Sequence, residues 1–459
     1  AQRMAEFATG LKFEDLPKDV VHEAKRVIID SLGCALGAWR EEPCVVARKV
    51  ALTTSSTKGA TVWGTNHIAP PDWAAFANGC LVRYFDYNDT YLSKEPAHPS
   101  DNIPASFSAA QAAGATGREL ITAIVIAYEV QCRLCDAASI RSRGWDHVTY
   151  GAFSTACAAS RLFKLDVNKT RHAIGIAGVA SAALRQSRVG ELSHWKGVAF
   201  ANAARHGVYA AMLAQAGMTG PAPIFEGEKG FEKLVSGPLD ALKGPFATGT
   251  KGFVPDDGFM IRKSCIKFWP AEYHSQSAID AALKIRHQLG ETAAKIESVV
   301  IESHDASVDI IGSEPEKWRP QQRETADHSL PYIVAAALVD GEITSAQFAP
   351  ERFTDSKLID FVQRVKVVRN AELSQMYPGS VANIVTVKTT DGRTLTQRVN
   401  DPPGHARNRL SDEQLLGKYH ALADPALDPA RATAAAEWVW KLDQAADVRG
   451  LMPLIEVKA

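Results

Sequence analysis

Much of the first half of this chain is apolar on nearly every face of a helix, which confines those helices to the inside of a large bundle. Asp19 to Trp39 places Val20, Ala24, Val27, Ile28, Leu32, Ala35 and Leu36 on one stripe, with Pro17 as an opening residue. Similar runs follow at Asp72 to Tyr84, Ile103 to Ala113, Glu119 to Ala138, Gly151 to Phe163, Lys169 to Leu184 and Lys196 to Ala216. Several are rich in Ala and Gly, as helices must be where they approach closely. A chain of 459 residues exceeds what one core usually serves, so two domains are expected.

The texture changes after about Gly220, where Gly227, Gly230, Gly237, Gly244, Gly249, Gly252 and Gly258 punctuate a loop-rich stretch. Beyond it, Lys295 to Ser303 alternates like a strand, as do Val365 to Val368 and Ile384 to Lys388. Asp391-Gly392 turns the last of these into Leu395 to Val399, a hairpin signal because such turns need positive φ. Helices at Ser275 to Leu289 and His328 to Val339 are interspersed. The tail returns to helix, with Ser411 opening one in capping-box fashion and Pro429 to Gln444 forming the last. The expected fold is mainly α. A large helical domain (1–258 and 405–459) is formed by both chain ends, and a smaller α+β domain (259–404) is inserted as a lid.

A formal net charge of -1 removes a global field as a reason to bind nucleic acid or an anionic membrane. The longest apolar stretch, Leu120 to Tyr128, is far short of a bilayer span. Seven scattered cysteines and no secretory segment at the start of these residues predict reduced thiols in a cytoplasmic setting. Cys132-x-x-Cys135 sits inside a helical run without a second pair at zinc-like spacing, so buried thiols are expected there. No His-x-x-x-His, phosphate-binding Gly loop or Gly-x-Ser-x-Gly occurs. Neither a metal nor an organic cofactor is predicted.

Between two apolar runs, Tyr84-Phe-Asp-Tyr-Asn-Asp-Thr90 closing on Ala97-His98-Pro-Ser-Asp-Asn102 packs acids, amides, a hydroxyl and an imidazole into under twenty residues. Loops on a rigid scaffold are where function concentrates. Four other segments share this mixed character. They are Arg141 to His147; Arg185-Gln-Ser-Arg188 leading through Glu191 and His194 to Lys196; Lys263 to Lys267 leading to His274; and Asp327-His328-Ser-Leu-Pro-Tyr332. Each has a bland alternative: a helix cap for His147, a solvated end charge for Lys196, a core aromatic for Tyr332. Together, imidazoles, lysines, arginines, an aspartate and a phenol point to proton transfer on a small polyanion. Removing a proton beside a carboxylate builds negative charge there, which Lys and Arg stabilise. A near-neutral His can act as base, and a second acid protonates the departing hydroxyl.

The segments 84–90 and 97–102, Leu-Arg-Gln-Ser-Arg-Val-Gly-Glu-Leu-Ser-His-Trp-Lys-Gly (184–197) and Asn-Ala-Ala-Arg-His-Gly (202–207) resemble the MmgE/PrpD family. Asp-His-Ser-Leu-Pro-Tyr (327–332) and Pro-Pro-Gly-His (402–405) extend the likeness over nearly the whole chain. The resemblance implies a helical domain from both chain ends, an inserted α+β domain and a homodimer. It also implies cofactor-independent chemistry on di- or tricarboxylates: 2-methylcitrate dehydration, cis-aconitate decarboxylation or epimerisation of a dicarboxylate.

Carried over residue by residue, the resemblance places active-site groups at Asp86, Thr90, His98, His147, Lys196, His274 and Tyr332. The spacing between Thr90 and His98 is closer to the dehydratase branch, which favours loss of water from 2-methylcitrate or a related tricarboxylate. Lys196, with Arg185 or Arg188, is then a carboxylate clamp, and His98 and His147 are base and acid in either order. Asp86 orients an imidazole, Thr90 and Lys267 bind substrate, and His274 and Tyr332 close the site from the second domain. A cleft between the domains is the expected location. The rival of another class is a catalytically silent carboxylate-binding or scaffold protein.

Overall fold

In the computed structural model of this chain, residues 1–190, 192–239 and 258–458 are described. The fold is mainly helical, and the chain divides into two compact units. The first comprises Ala1–Gly190, His194–Ser264 and Ser411–Ala459, and the second is built on Cys265–Leu410. Gly244, Gly249 and Gly252 lie outside the described residues, as does Glu191.

In the first unit the helices Pro71–Arg83, Asn102–Ala113, Gly117–Ala137, Thr149–Leu162 and Trp195–Gln215 are buried over most of their length. Small residues make this possible. A Cβ on Gly79 would stand 2.8 Å from that of Ala201, and one on Gly207 only 2.8 Å from the Ala152 carbonyl oxygen. Such side chains would force the helices apart. Gly117–Ala137 opens on a capping box between Thr116 and Glu119. It carries Cys132 and Cys135 as fully buried free thiols. The C-terminal helix Asp412–Ala423 also opens on a box, Ser411 with Gln414, and packs on Lys18–Gly37. Lys418 Nζ seals that contact, lying 2.6 Å from the buried Asp30 carboxylate and donating to the Tyr87 carbonyl at 2.7 Å.

Residues 41–70 form the helix Glu42–Ala51 and a two-stranded ribbon, β1 (Ala60–Thr61) with β2 (Ile68–Ala69).

The second unit holds a four-stranded sheet of β3 (Ile296–Ser303), β4 (Val365–Arg369), β5 (Asn383–Thr389) and β6 (Thr394–Val399), in the order β4-β3-β5-β6. The β3–β4 pair is parallel and the others antiparallel. Val299, Ile301, Val385 and Val387 face Ile279, Ile285, Val334 and Leu338 in one core with the helices Gln276–Leu289 and Leu330–Asp340. The hairpin β5–β6 closes where Thr389 N donates to Arg393 O, and Gly392 takes φ +88°. The helix expected from His328 starts instead at Leu330. Ser329 caps it, its hydroxyl accepting from Tyr332 N at 3.1 Å, with Pro331 in the first turn. His328 is thereby left outside the helix. Among the described residues no helix is long and apolar enough to cross a membrane.

Candidate active site

In the first unit the helix Pro71–Arg83 ends at Tyr84, and the chain turns sharply at Asp86, whose φ of +51° is rare for a residue with a side chain. Arg83 holds that turn, bonding the Asp86 carboxylate while its Nε lies 3.6 Å from Asp101 Oδ2. Behind the loop is a buried polar network. Asn88 donates to Ser100 Oγ at 2.8 Å and to Asp101 Oδ1 at 2.7 Å. Asp89 accepts from Ser100 N at 2.9 Å and from the Tyr128 hydroxyl at 2.7 Å. Burial pushes Asp89 up to about 6 against those hydrogen bonds, and pushes Asp101 up to about 7 against the attraction of Arg83.

The network fixes His98. Its Nδ1 lies 2.7 Å from the Asp89 carbonyl oxygen, which can only accept, so the proton sits on Nδ1. Thr90 Oγ1 lies 3.2 Å from the same nitrogen. His98 Nε2, on the other side of the ring, lies 3.8 Å from Asp86 Oδ1. The other Asp86 oxygen is 3.8 Å from Nζ of Lys196, a buried residue in the first turn of Trp195–Gln215.

His147 stands beside His98, with ring centroids 5.9 Å apart. Its Nδ1 is 3.0 Å from Asp146 Oδ1, and Arg188 Nε bridges both oxygens of that carboxylate at 2.9 and 2.8 Å. Ser187 Oγ adds a bond of 2.7 Å. These partners are distant in sequence but stitched together by backbone. Asp146 N donates to Ala183 O at 2.8 Å and Arg185 N to Gly144 O at 3.0 Å, so 183–188 folds back over the dyad. Burial alone would raise Asp146, but Arg188 and His147 outweigh it and hold this carboxyl well below its usual range. Burial, joined by Arg188, lowers His147 despite Asp146. With Nδ1 tied to the carboxylate, Nε2 carries the lone pair, and it is buried with no hydrogen-bond partner among the described residues. If this nitrogen is a base, it must be unprotonated. The acid limb of kcat/KM against pH is then expected below the ordinary imidazole value of about 6.5, and a limb at or above that value would contradict the assignment.

The second unit repeats the anchoring device. His274 Nδ1 is 2.7 Å from Glu272 Oε1, and His328 Nδ1 is 2.5 Å from Asp327 Oδ1. Burial would raise Glu272, but His274 with its hydrogen bond, then His328 and Lys267, bring it down to about 2. Lys267 is buried. Tyr377 Oη lies 3.4 Å from His274 Nε2. Among the described residues no group of three or more His, Cys, Asp or Glu is placed to hold a metal ion.

Family models settle the lineage of this arrangement. The MmgE/PrpD N-terminal domain matches residues 2–241 and the MmgE/PrpD C-terminal domain matches residues 269–444. This chain belongs to the MmgE/PrpD family. A 2-methylcitrate dehydratase of Cupriavidus necator is 29% identical over 419 residues, covering 86% of this chain and 83% of that protein. The 2-methylcitrate dehydratase of Escherichia coli K12 is 27% identical, over 87% and 85% respectively. A cis-aconitate decarboxylase of Mus musculus is 28% identical over 91% of this chain and 85% of its own length.

In this MmgE/PrpD chain, Asp86, Thr90, His98, His147 and Lys196 come together in the first unit through the contacts above. His274 and Lys267 share a neighbourhood in the second through Glu272. Arg188, read from sequence as a substrate clamp, is engaged by Asp146. Arg185 is half buried, and burial, then Arg141, lowers its pKa. Tyr332 is wholly buried, its hydroxyl donating to Gln347 O at 2.5 Å and its ring packing on Phe348. No hydrogen bond or ring contact among the described residues links it to His274. The helix carrying it is buried on all sides, so its phenol points into the core. Sequence reading overlooked Asp146 and Glu272 as functional groups. The signal was present, in an acid one or two residues before each imidazole: Asp146-His147, Glu272-Tyr-His274 and Asp327-His328.

Proposed function

We propose that this protein is a lyase that removes water from 2-methylcitrate or a closely related tricarboxylate, using side chains alone. The observation that carries this reading is the Asp146–His147 pair with its unpartnered Nε2 beside His98. His147 Nε2 takes the proton from a carbon next to a substrate carboxylate, and Asp146 stabilises the imidazolium that forms. Lys196, with Arg185, holds the carboxylate on which charge accumulates. His98, carrying a second proton on Nε2 opposite the Asp86 carboxylate, gives that proton to the hydroxyl on the adjacent carbon and returns to the neutral ring with its proton on Nδ1. The carbon–oxygen bond breaks, water departs and a cis-aconitate-type alkene remains. Thr90 bonds the substrate near His98. In the second unit, His274 and Lys267, gathered at Glu272, are assigned to carboxylate binding, and Tyr332 is assigned to packing.

Dehydratases among the relatives support the reading, and the decarboxylase among them supplies the alternative, loss of carbon dioxide from cis-aconitate. Incubation with 2-methylcitrate, citrate and cis-aconitate, following alkene absorbance and carbon dioxide together, separates the two. Alkene formation without gas is expected. Gas evolution from cis-aconitate without dehydration of either hydroxy acid would overturn the proposal.

A further inference from the structure

We infer that His304 is a carboxylate-binding residue of the second unit, its Nε2–H donating a hydrogen bond to an oxygen of a polycarboxylate held beside His274. This rests on the carboxylate chemistry proposed above and adds to it a residue outside the resemblance.

His304 precedes the short helix Asp305–Ile311 and caps it with its ring, Nδ1 accepting from Ser307 N at 3.3 Å. A ring that accepts at Nδ1 carries its proton on Nε2. This is the reverse of His98, His147, His274 and His328, where Nδ1 faces an oxygen acceptor. His304 is fully buried, and among the described residues its Nε2 has no hydrogen-bond partner. Buried donors in native structures find partners, so an orphan calls for an acceptor from outside the chain. The nearby acid does not serve, because Asp305 lies 3.0 Å from Arg369 Nη1.

The surroundings say what acceptor fits. The His304 ring stacks on Tyr377, centroids 4.8 Å apart and planes at 17°, and lies 5.2 Å from the His274 ring. Burial, then His274, lowers His304 to about 3 against Glu272 and Asp305, so it is a neutral donor at working pH. Glu272 fills His274 Nδ1 and leaves Nε2 turned toward the Tyr377 hydroxyl. An orphan N–H, an imidazole nitrogen and a phenol gathered within one cluster suit an oxygen-rich anion. A cation would meet an N–H donor at its centre.

The test uses the whole chain and tricarballylate, a tricarboxylate without a hydroxyl to eliminate, with binding followed by calorimetry. His304→Asn keeps an acceptor that can cap Ser307 N but shortens the donor's reach. Affinity is expected to fall about tenfold or more with the melting temperature little changed. Unchanged affinity would overturn the inference while leaving the proposed reaction intact. Failure of the unaltered protein to bind tricarballylate would overturn both. Should the variant fail to fold, imidazole 15N spectra of the unaltered protein decide. Tricarballylate is expected to shift the His304 Nε2–H resonance to lower field, and an unmoved resonance would overturn the inference.

Discussion

Asp146→Asn is expected to lower kcat by about 10³-fold or more while the protein still folds. The amide occupies the same space but presents either an NH2 or a carbonyl to His147 Nδ1. When it presents NH2, the ring proton moves to Nε2 and the lone pair needed for abstraction is lost. When it presents the carbonyl, the tautomer survives but the charge that stabilises the imidazolium is gone. Stability also falls, because Arg188 loses the carboxylate it bridges, at a cost of about 3 kcal/mol if the site stays closed. The sign with pH follows. Asp146 is depressed in the folded state, so its contribution is present above the unfolded value near 4 and is lost as pH falls further. The variant's stability deficit should shrink in acid. Steady-state kinetics and thermal melts at several pH values check both parts, and a kcat within a few-fold of the unaltered enzyme would remove His147 from the role of base.

Lys196→Met is expected to reduce kcat/KM by about 10²- to 10³-fold, most of it in kcat. Methionine fills much of the space of the buried lysine stem, so packing is largely kept. Asp86 is not stranded, since Arg83 still holds its carboxylate. The missing element is a cation facing the carboxylate that gains charge as the proton leaves. Uniform loss of binding would raise KM alone, so a large KM effect with unchanged kcat would demote Lys196 to an anchoring group. Lys196→Arg tests geometry as well as charge. A planar fork in a space shaped for a point charge should recover only part of the activity.

What could be read from sequence divides along a physical line. Helices apolar on all faces announced themselves, as did the alternation of β3 and the Asp391-Gly392 hairpin, because local period and turn chemistry determine them. The roles of the acids did not. Asp86, Asp89 and Asp101 lie within sixteen residues in one loop and look alike on paper. Burial raises two of them, while the third faces Arg83, Lys196 and His98. Asp146 takes its character from Arg188, forty-two residues onward, and Tyr332 takes its from a carbonyl at Gln347. The tautomers of the imidazoles were equally invisible, since each is set by an oxygen or an N–H that the fold brings to Nδ1.

The two buried acids behind the loop at Asp86 bear on how that loop would receive an anion. Burial lifts Asp89 to about 6 and Asp101 to about 7, so both carboxyls gain protons progressively as the medium is acidified from neutral. Each carboxyl that takes up a proton leaves the positive charge of Arg83 and Lys196 less offset. Under the proposed function, attraction for a polycarboxylate is expected to strengthen as the medium moves from neutral toward pH 6, while His147 comes closer to losing its lone pair. Capture and proton abstraction would then respond to acid in opposite directions.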